Sequence, residues 1–215
     1  MDPSKKEDLS ALSDQYNDPS SLMAKKVQRV AFLLEDGRRL LDVGMGPGAF
    51  IKVVDGKFAE VFATDLDDEA IELCKNNLKG SKSKIKLFKS DMSQIKQKLG
   101  DMNFNCITCL DVLEHISFED AKLFMKDVYN MLEDDGIFVF TGPGFFEKIK
   151  IAMGERPQHL HSHSPRGWKK LIESSGLEVF RVETIQYPLL DWKILRERLP
   201  FFGMCCLIMA RKPRV

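Results

Sequence analysis

The sequence predicts a doubly wound α/β fold, in which helices cover both faces of one mainly parallel sheet. Strand-like apolar runs alternate with amphipathic, helix-like segments, and a glycine-rich stretch follows the first strand-like run. Only a short irregular segment, residues 186–203, joins the last two predicted strands, which favours an antiparallel pair over a crossover. The length of 215 residues fits one domain, which we place at residues 20–215 after a flexible polar leader at residues 1–19.

Caps and turn residues set the boundaries of the predicted helices. From Ser21 onward, apolar residues recur at helical spacing, which predicts an amphipathic helix that ends near Gly37. Capping residues predict three further helices, after Asp67, Ser117 and Ser164. The apolar runs predict seven strands, which cover residues 39–43, 60–64, 84–89, 104–110, 137–141, 177–185 and 204–211.

The composition argues against several classes of protein. Lys plus Arg and Asp plus Glu both number 32, so no overall charge attracts the chain to nucleic acid. No apolar run approaches ~20 residues, so we expect no transmembrane helix, and the polar N-terminus lacks the apolar segment of a secretory signal. The five cysteines, an odd number, favour reduced thiols in a cytoplasmic protein.

Cys106 and Cys109 have the spacing of a metal-binding or redox pair. They lie in the predicted strand at residues 104–110, where successive side chains point to opposite faces of the sheet. A separation of three residues therefore directs the two thiols to opposite faces, and we interpret both as buried core residues.

The stretch from Gly44 to Gly48, Gly-Met-Gly-Pro-Gly, directly follows the first predicted strand. Glycine permits a sharp turn and a close approach of the backbone to a ligand, and the following helix directs its first amides toward the same place. Gly44, Gly46 and Ala49 also fit the spacing of a dinucleotide-binding fingerprint. The stretch alone therefore predicts a nucleoside-binding loop without identifying the ligand.

Acidic residues stand at the ends of the next three predicted strands. Asp65 ends the second strand, where a carboxylate can accept hydrogen bonds from both ribose hydroxyls. Asp91 follows the third strand, next to Met92, and either accepts from an adenine amino group or caps a turn. The fourth strand runs into Asp-Val-Leu-Glu-His at residues 111–115. A dinucleotide site gives no role to Asp91 or to Leu-Glu-His, so the pattern favours another adenosine-containing ligand.

Four short motifs together resemble class I S-adenosylmethionine-dependent methyltransferases: Leu-Asp-Val-Gly-x-Gly-x-Gly, Thr-Asp-Leu, Ser-Asp-Met and Asp-Val-Leu-Glu-His. They are most similar to small-molecule O-methyltransferases of the ubiquinone-biosynthesis type and to relatives that act on lipids and glycans. The resemblance implies a Rossmann-like seven-stranded sheet that ends in an antiparallel hairpin. It also implies S-adenosyl-L-methionine as cofactor and transfer of its methyl group to oxygen of a small-molecule or lipid- or glycan-linked acceptor.

The same resemblance assigns cofactor contacts by position. The residues are Asp42, Gly44, Met45, Gly46 and Gly48 around the methionine half, Asp65 and Leu66 at the ribose and adenine, Asp91 and Met92 at the adenine, and Leu110 on the sulfonium side. Met45 stands where the family usually has cysteine or a small residue, so we expect it to narrow the loop.

A neutral hydroxyl acceptor needs a base, and histidine is the usual choice. His115 follows the fourth strand and either acts as this base or holds the turn through a hydrogen bond. His159, His161 and His163 lie after the fifth strand, where this fold commonly builds its acceptor site, and His161 is our second candidate. The three could also bind a metal. No strand pattern places them on one face, so we expect no metal.

The sequence says least about the acceptor. Residues 186–203 mix aromatic, leucine and basic side chains. This composition fits contact with an apolar acceptor or with a membrane surface, and it equally fits a segment that packs on the last two strands. Together with residues 143–164 they form the expected acceptor-site insert. Motifs for amino methylation of nucleic acids are absent after the fourth strand. An RNA or protein methyltransferase and a non-catalytic module that binds S-adenosylmethionine remain as alternatives.

Overall fold

The computed structural model describes residues 9–144, 153, 163–185 and 205–214. The strands are β1 (Gly37–Val43), β2 (Phe58–Asp65), β3 (Lys84–Lys89), β4 (Phe104–Leu110), β5 (Leu132–Pro143), β6 (Glu178–Ile185) and β7 (Cys205–Arg211). The helices are α1 (Leu9–Asn17), α2 (Leu22–Leu33), α3 (Ala49–Val53), α4 (Asp68–Asn77), α5 (Ile95–Leu99), α6 (Phe118–Met131) and α7 (Pro165–Glu173). Two short 3-10 helices cover Met92–Gln94 and Leu113–His115.

All seven strands belong to one sheet, in the order β3-β2-β1-β4-β5-β7-β6. Strands β1 to β5 are parallel, whereas β7 lies between β5 and β6 and is antiparallel to both. The predicted fold class, a mainly parallel sheet with a C-terminal antiparallel hairpin, is therefore confirmed. Because the carboxyl ends of β1 to β5 meet at one edge, the segments that follow these strands become neighbours there.

Apolar side chains fill both faces of the sheet. One cluster packs β4 and β5 against α6 and α7, and the other packs the opposite face against α2, α3 and α4. Cys109 belongs to the first cluster and Cys106 to the second, so the predicted separation of the two thiols is confirmed. None of the five cysteines is in a disulfide, and burial raises the pKa of the Cys106 thiol above its usual range.

The predicted caps Asp67, Ser117 and Ser164 are confirmed, because each side chain accepts a hydrogen bond from a backbone amide in the first turn of its helix. The Ser21 side chain also caps its helix, by accepting from the Ala24 amide. Helix α5 was not predicted, because its five residues are too few to show a periodic pattern.

Helix α1 lies within the predicted leader, residues 1–19, for which the sequence analysis predicts no helix. The Tyr16 side chain packs against the cluster that surrounds α2, which gives this polar segment an apolar anchor. Residues 1–8 and most of the two expected acceptor-site inserts lie outside the described residues. In the part of the chain that the structure describes, no helix is both long enough and apolar enough to cross a bilayer.

Candidate active site

The glycine loop follows β1 and has an unusual backbone. Gly44, Gly46 and Gly48 have φ angles of 74°, 50° and 83°, in the left-handed region that favours glycine. A Cβ on Gly44 would lie 2.3 Å from a methyl carbon of Val112, so the segment after β4 packs directly on this loop. At Gly46, no described heavy atom lies within 4 Å of the position of a Cβ. The loop therefore offers open backbone at Gly46 and tight packing at Gly44.

Asp65, at the end of β2, lies against the glycine loop. One of its carboxylate oxygens accepts a hydrogen bond from the Gly46 amide at 3.0 Å, and the other accepts from the Asp67 amide at 3.1 Å. The next side chain, Leu66, is 54% exposed, which is high for a large apolar residue at a sheet edge. The structure thus brings together two elements that are 19 residues apart in the sequence.

Asp42 lies beneath the loop with its carboxylate fully buried. The Thr108 hydroxyl on the neighbouring strand β4 donates to it at 2.6 Å. Burial, opposed by the Thr108 hydrogen bond and aided by the Asp65 charge, raises the pKa of Asp42 to about 7. Two carboxylates, Asp42 and Asp65, therefore lie near each other at the ends of β1 and β2.

Asp91 and Met92 lie beyond the end of β3. The Asp91 carboxylate caps the short 3-10 helix at Met92–Gln94, because it accepts from the Ser93 hydroxyl at 2.6 Å and the Ser93 amide at 2.9 Å. These hydrogen bonds keep the pKa of Asp91 below its usual range. Of the two roles predicted for Asp91, the structure thus shows the capping of a turn. The Asp91 side chain is also exposed at the edge of the sheet.

The side chain of Met45 does not narrow the glycine loop as the sequence analysis expects. Its side chain is only 5% exposed and packs in the core cluster with Val27 and Phe50. The side chain therefore fills the core under the loop rather than narrowing the loop, and only its backbone can border a ligand.

The end of β4 contains a group of contacts that the sequence did not predict. Leu110 is half-buried, and Asp111 follows it with a left-handed φ of 58°. The Asp111 carboxylate accepts from the Thr141 hydroxyl at 3.0 Å and forms an ion pair with Lys26 of α2. The signal in the sequence was weak: Lys26 interrupts the apolar face of α2, where its side chain is 3% exposed.

Two histidines lie at the same corner of this edge. His115 ends the short helix after β4, and its amide donates to the Val112 carbonyl at 3.0 Å. His163 lies between the rings of Phe118 and Trp168, with a centroid distance of 4.9 Å to each. Since Phe118 follows His115 by three residues, the segment before α7 approaches the end of β4. His159 and His161 lie outside the described residues.

Comparison with known proteins identifies the family. A family model described as "Methyltransferase domain" matches residues 15–182, which is most of the chain. The chain belongs to the methyltransferase-domain family. S-adenosylmethionine is the cofactor of this family. Among the described residues, no group of three or more His, Cys, Asp or Glu side chains could hold a metal ion.

The relatives of this methyltransferase domain differ in substrate. A sphingolipid C9-methyltransferase from Komagataella phaffii is 28% identical over 157 residues, which cover 66% of this chain but only 29% of that enzyme. A ubiquinone biosynthesis O-methyltransferase from Coxiella burnetii is 23% identical over 163 residues, 70% of this chain and 68% of that enzyme. Further curated relatives are ribosomal protein L11 methyltransferases, of which this chain spans less than half the length.

A solved structure confirms the fold at low sequence identity. The S-adenosylmethionine-dependent methyltransferase from Archaeoglobus fulgidus superimposes with a TM-score of 0.67 at 19% identity, over 94% of this chain and 99% of that one. The architecture is therefore shared along nearly the whole of both chains.

The residues at the edge of the sheet fit S-adenosylmethionine. The cofactor carries a cationic sulfonium and a cationic ammonium group, and the buried carboxylate of Asp42 lies close enough to Asp65 to feel its charge. A cationic group near Asp42 favours the ionised form of its carboxyl group. The open backbone at Gly46 leaves room for a ligand to approach closely, as no side chain on that residue occupies the space.

Proposed function

We propose that this methyltransferase domain transfers a methyl group from S-adenosylmethionine to oxygen of a small-molecule or lipid- or glycan-linked acceptor. The observation that carries the proposal is the convergence of Asp42 and Asp65 on a left-handed glycine loop that is open at Gly46. Asp91 stands at the end of the neighbouring strand, where the Ser90 amide donates to the Asp65 carbonyl at 3.2 Å. An elongated ligand with a cationic end and a sugar fits this row of carboxylates.

Each residue has a proposed role in binding. Asp42 and the loop residues Gly44 to Gly48 hold the methionine half, with Met45 contributing its backbone. Asp65 and Leu66 hold the ribose and adenine, Asp91 and Met92 the adenine, and Leu110 borders the sulfonium. The bound cofactor supplies a methyl group already activated on sulfur, so the protein mainly aligns the acceptor oxygen with the S–CH₃ bond. His115 would accept the proton of the acceptor hydroxyl as the O–CH₃ bond forms and the S–CH₃ bond breaks, which leaves S-adenosylhomocysteine as the second product.

Two observations support a small-molecule or lipid- or glycan-linked acceptor. The relatives include a sphingolipid C9-methyltransferase and a ubiquinone biosynthesis O-methyltransferase, whose names specify a lipid and methylation of oxygen in ubiquinone biosynthesis. Equal numbers of acidic and basic residues provide no general attraction to nucleic acid. The ribosomal protein L11 methyltransferases among the relatives keep a protein acceptor as the second candidate. For either class of acceptor, we propose that residues 143–164 and 186–203 supply the acceptor contacts.

Replacing Asp65 by alanine is expected to weaken binding of S-adenosylhomocysteine by about 1–3 kcal/mol, the size of a lost charge-assisted hydrogen bond. Calorimetry measures the change directly. Asp68→Ala is a matched control, because this exposed carboxylate three residues away pairs with Lys89 at 2.5 Å. Equal affinities for the Asp65→Ala variant and the wild type would refute the ribose role.

His115→Ala is expected to slow methyl transfer by a factor of about 10²–10⁴, the usual contribution of a general base, without changing cofactor affinity. Turnover is measured as incorporation of labelled methyl at saturating cofactor, and affinity by calorimetry. His115→Gln, which keeps a polar side chain but is not a base, is expected to be as slow as the alanine variant. A parallel loss of turnover and affinity, or no loss of either, would contradict the assignment.

Labelling of a lysate with radioactive S-adenosylmethionine tests the acceptor class. We expect the label to enter an organic extract or a small-molecule fraction, and to survive nuclease and protease. Label that protease releases would indicate a protein acceptor, and label that nuclease releases would indicate RNA. A domain that binds the cofactor but labels nothing would instead be a non-catalytic module.

A further inference from the structure

Two cations of helix α2 form ion pairs with residues on different strands of the sheet. Lys26, whose side chain is 3% exposed, forms an ion pair with Asp111 at the end of β4. Its ammonium also lies 3.2 Å from the Met23 sulfur. One turn later, Arg29 forms two hydrogen bonds of 2.8 and 2.9 Å with Glu183 in β6. Both pairs tie the helix to the sheet, but Glu183 lies in the edge strand β6, three strands from β4. Only the first pair involves the segment after β4, whose Val112 packs on the glycine loop.

Asp111 has a strained backbone that its surroundings hold in place. A left-handed φ of 58° is unfavourable for a residue with a Cβ, and such residues persist only where several contacts fix them. The Asp111 amide donates to the Thr141 carbonyl at 2.9 Å. One carboxylate oxygen accepts from the Thr141 hydroxyl, and the other contacts Lys26. Contacts from β5 and from α2 therefore fix this residue together.

The residue that follows Asp111 forms a wall of the glycine loop. Val112 packs so closely on Gly44 that a Cβ there would lie 2.3 Å from its methyl carbon. A change in the backbone at Asp111 therefore moves Val112 relative to the loop. The contacts run without a gap from Lys26 through Asp111 and Val112 to Gly44.

We propose that Lys26 is a positioning residue of the cofactor site, which acts through Asp111 to hold the segment after β4 against the glycine loop. The proposal rests on the proposed function only in taking S-adenosylhomocysteine as the ligand of that loop. The competing explanation is that the Lys26–Asp111 pair simply anchors α2, as the Arg29–Glu183 pair does.

Comparison of Lys26→Met with Arg29→Met separates these explanations, because each removes one ion pair from the same helix. We expect Lys26→Met to weaken binding of S-adenosylhomocysteine by about tenfold or more, and Arg29→Met by less than about twofold. Thermal melting of both variants shows how much stability each loses. Lys26→Arg retains the cation and is expected to recover most of the affinity.

Hydrogen exchange provides a readout that needs no ligand. Without Lys26, the amides of residues 44–46 and 111–113 are expected to exchange faster, whereas Arg29→Met leaves them at the wild-type rate. Equal effects of the two variants on affinity and exchange, or no effect of Lys26→Met, would overturn the positioning role. A wild-type protein that does not bind S-adenosylhomocysteine would refute the proposed function instead, and the exchange comparison would still decide the role of Lys26.

Discussion

Replacing Gly44 by alanine is expected to destabilise the protein by about 2–5 kcal/mol and to remove measurable binding of S-adenosylhomocysteine. The added methyl group incurs two costs. A left-handed backbone costs about 1–2 kcal/mol for a residue with a Cβ. The Cβ would also lie 2.3 Å from Val112, and overpacking of this kind costs about 1–3 kcal/mol. Denaturant unfolding measures the loss of stability, and calorimetry measures the loss of binding.

Gly80→Ala separates the two costs. Gly80 has a similar φ of 82°, and no described heavy atom lies within 4 Å of the position of its Cβ. This variant is therefore expected to lose only the backbone contribution and to bind the ligand normally. A second comparison adds Val112→Ala to the Gly44 variant, which removes the methyl groups that collide. The double variant is expected to lose less stability than the sum of the single changes. If Gly44→Ala cost no more than Gly80→Ala, the close packing on the loop would be refuted.

The fold was largely predictable because its signals are local. Strands β3 and β4 have the predicted boundaries, since each is a strand-like segment between clear turn residues. Strand β5 is longer than predicted: it begins at Leu132, and its pairing with β4 shifts register near Phe104, an irregularity that no local pattern signals. Helix α1 was missed for a similar reason, because it is anchored by packing of Tyr16 on a core formed elsewhere in the chain.

The candidate site also has one part that was predictable from the sequence and one part that was not. The glycine loop and Asp65 were predictable because parallel strands bring their carboxyl ends to one edge, so strand ends identify the neighbours. The Lys26–Asp111 pair joins residues that are 85 positions apart, and it depends on how α2 crosses the sheet. The core position of Met45 depends on the path of the loop backbone, which the spacing of the glycines does not specify.

Asp42 is expected to make the stability of the folded protein depend strongly on pH. Its pKa is about 7 in the folded state and near 3.8 in an unfolded chain. A raised carboxyl pKa means that the folded state binds the proton more tightly. Its contribution to stability is therefore fully present below about pH 4 and is lost as the pH rises through 7. A shift of this size corresponds to a contribution on the order of 4 kcal/mol.

Asp42→Asn isolates this contribution. Its amide oxygen can still accept from the Thr108 hydroxyl, but the side chain has no charge to bury. The unfolding free energy of the wild type, minus that of the variant, is expected to fall between about pH 4 and pH 7. Urea unfolding at several pH values measures the difference, in which the other titrating groups largely cancel. A difference that does not change with pH would contradict the raised pKa.

The same carboxyl group is expected to link cofactor binding to a proton. A cationic ligand beside Asp42 favours its ionised form, so binding lowers the pKa of Asp42 and releases a proton. Affinity for S-adenosylmethionine is therefore expected to rise with pH up to about 7, and the calorimetric enthalpy should depend on the ionisation enthalpy of the buffer. The Asp42→Asn variant should show neither effect. If both persisted in that variant, the proton would come from another group, and the buried Asp42 carboxyl group would have a structural role alone.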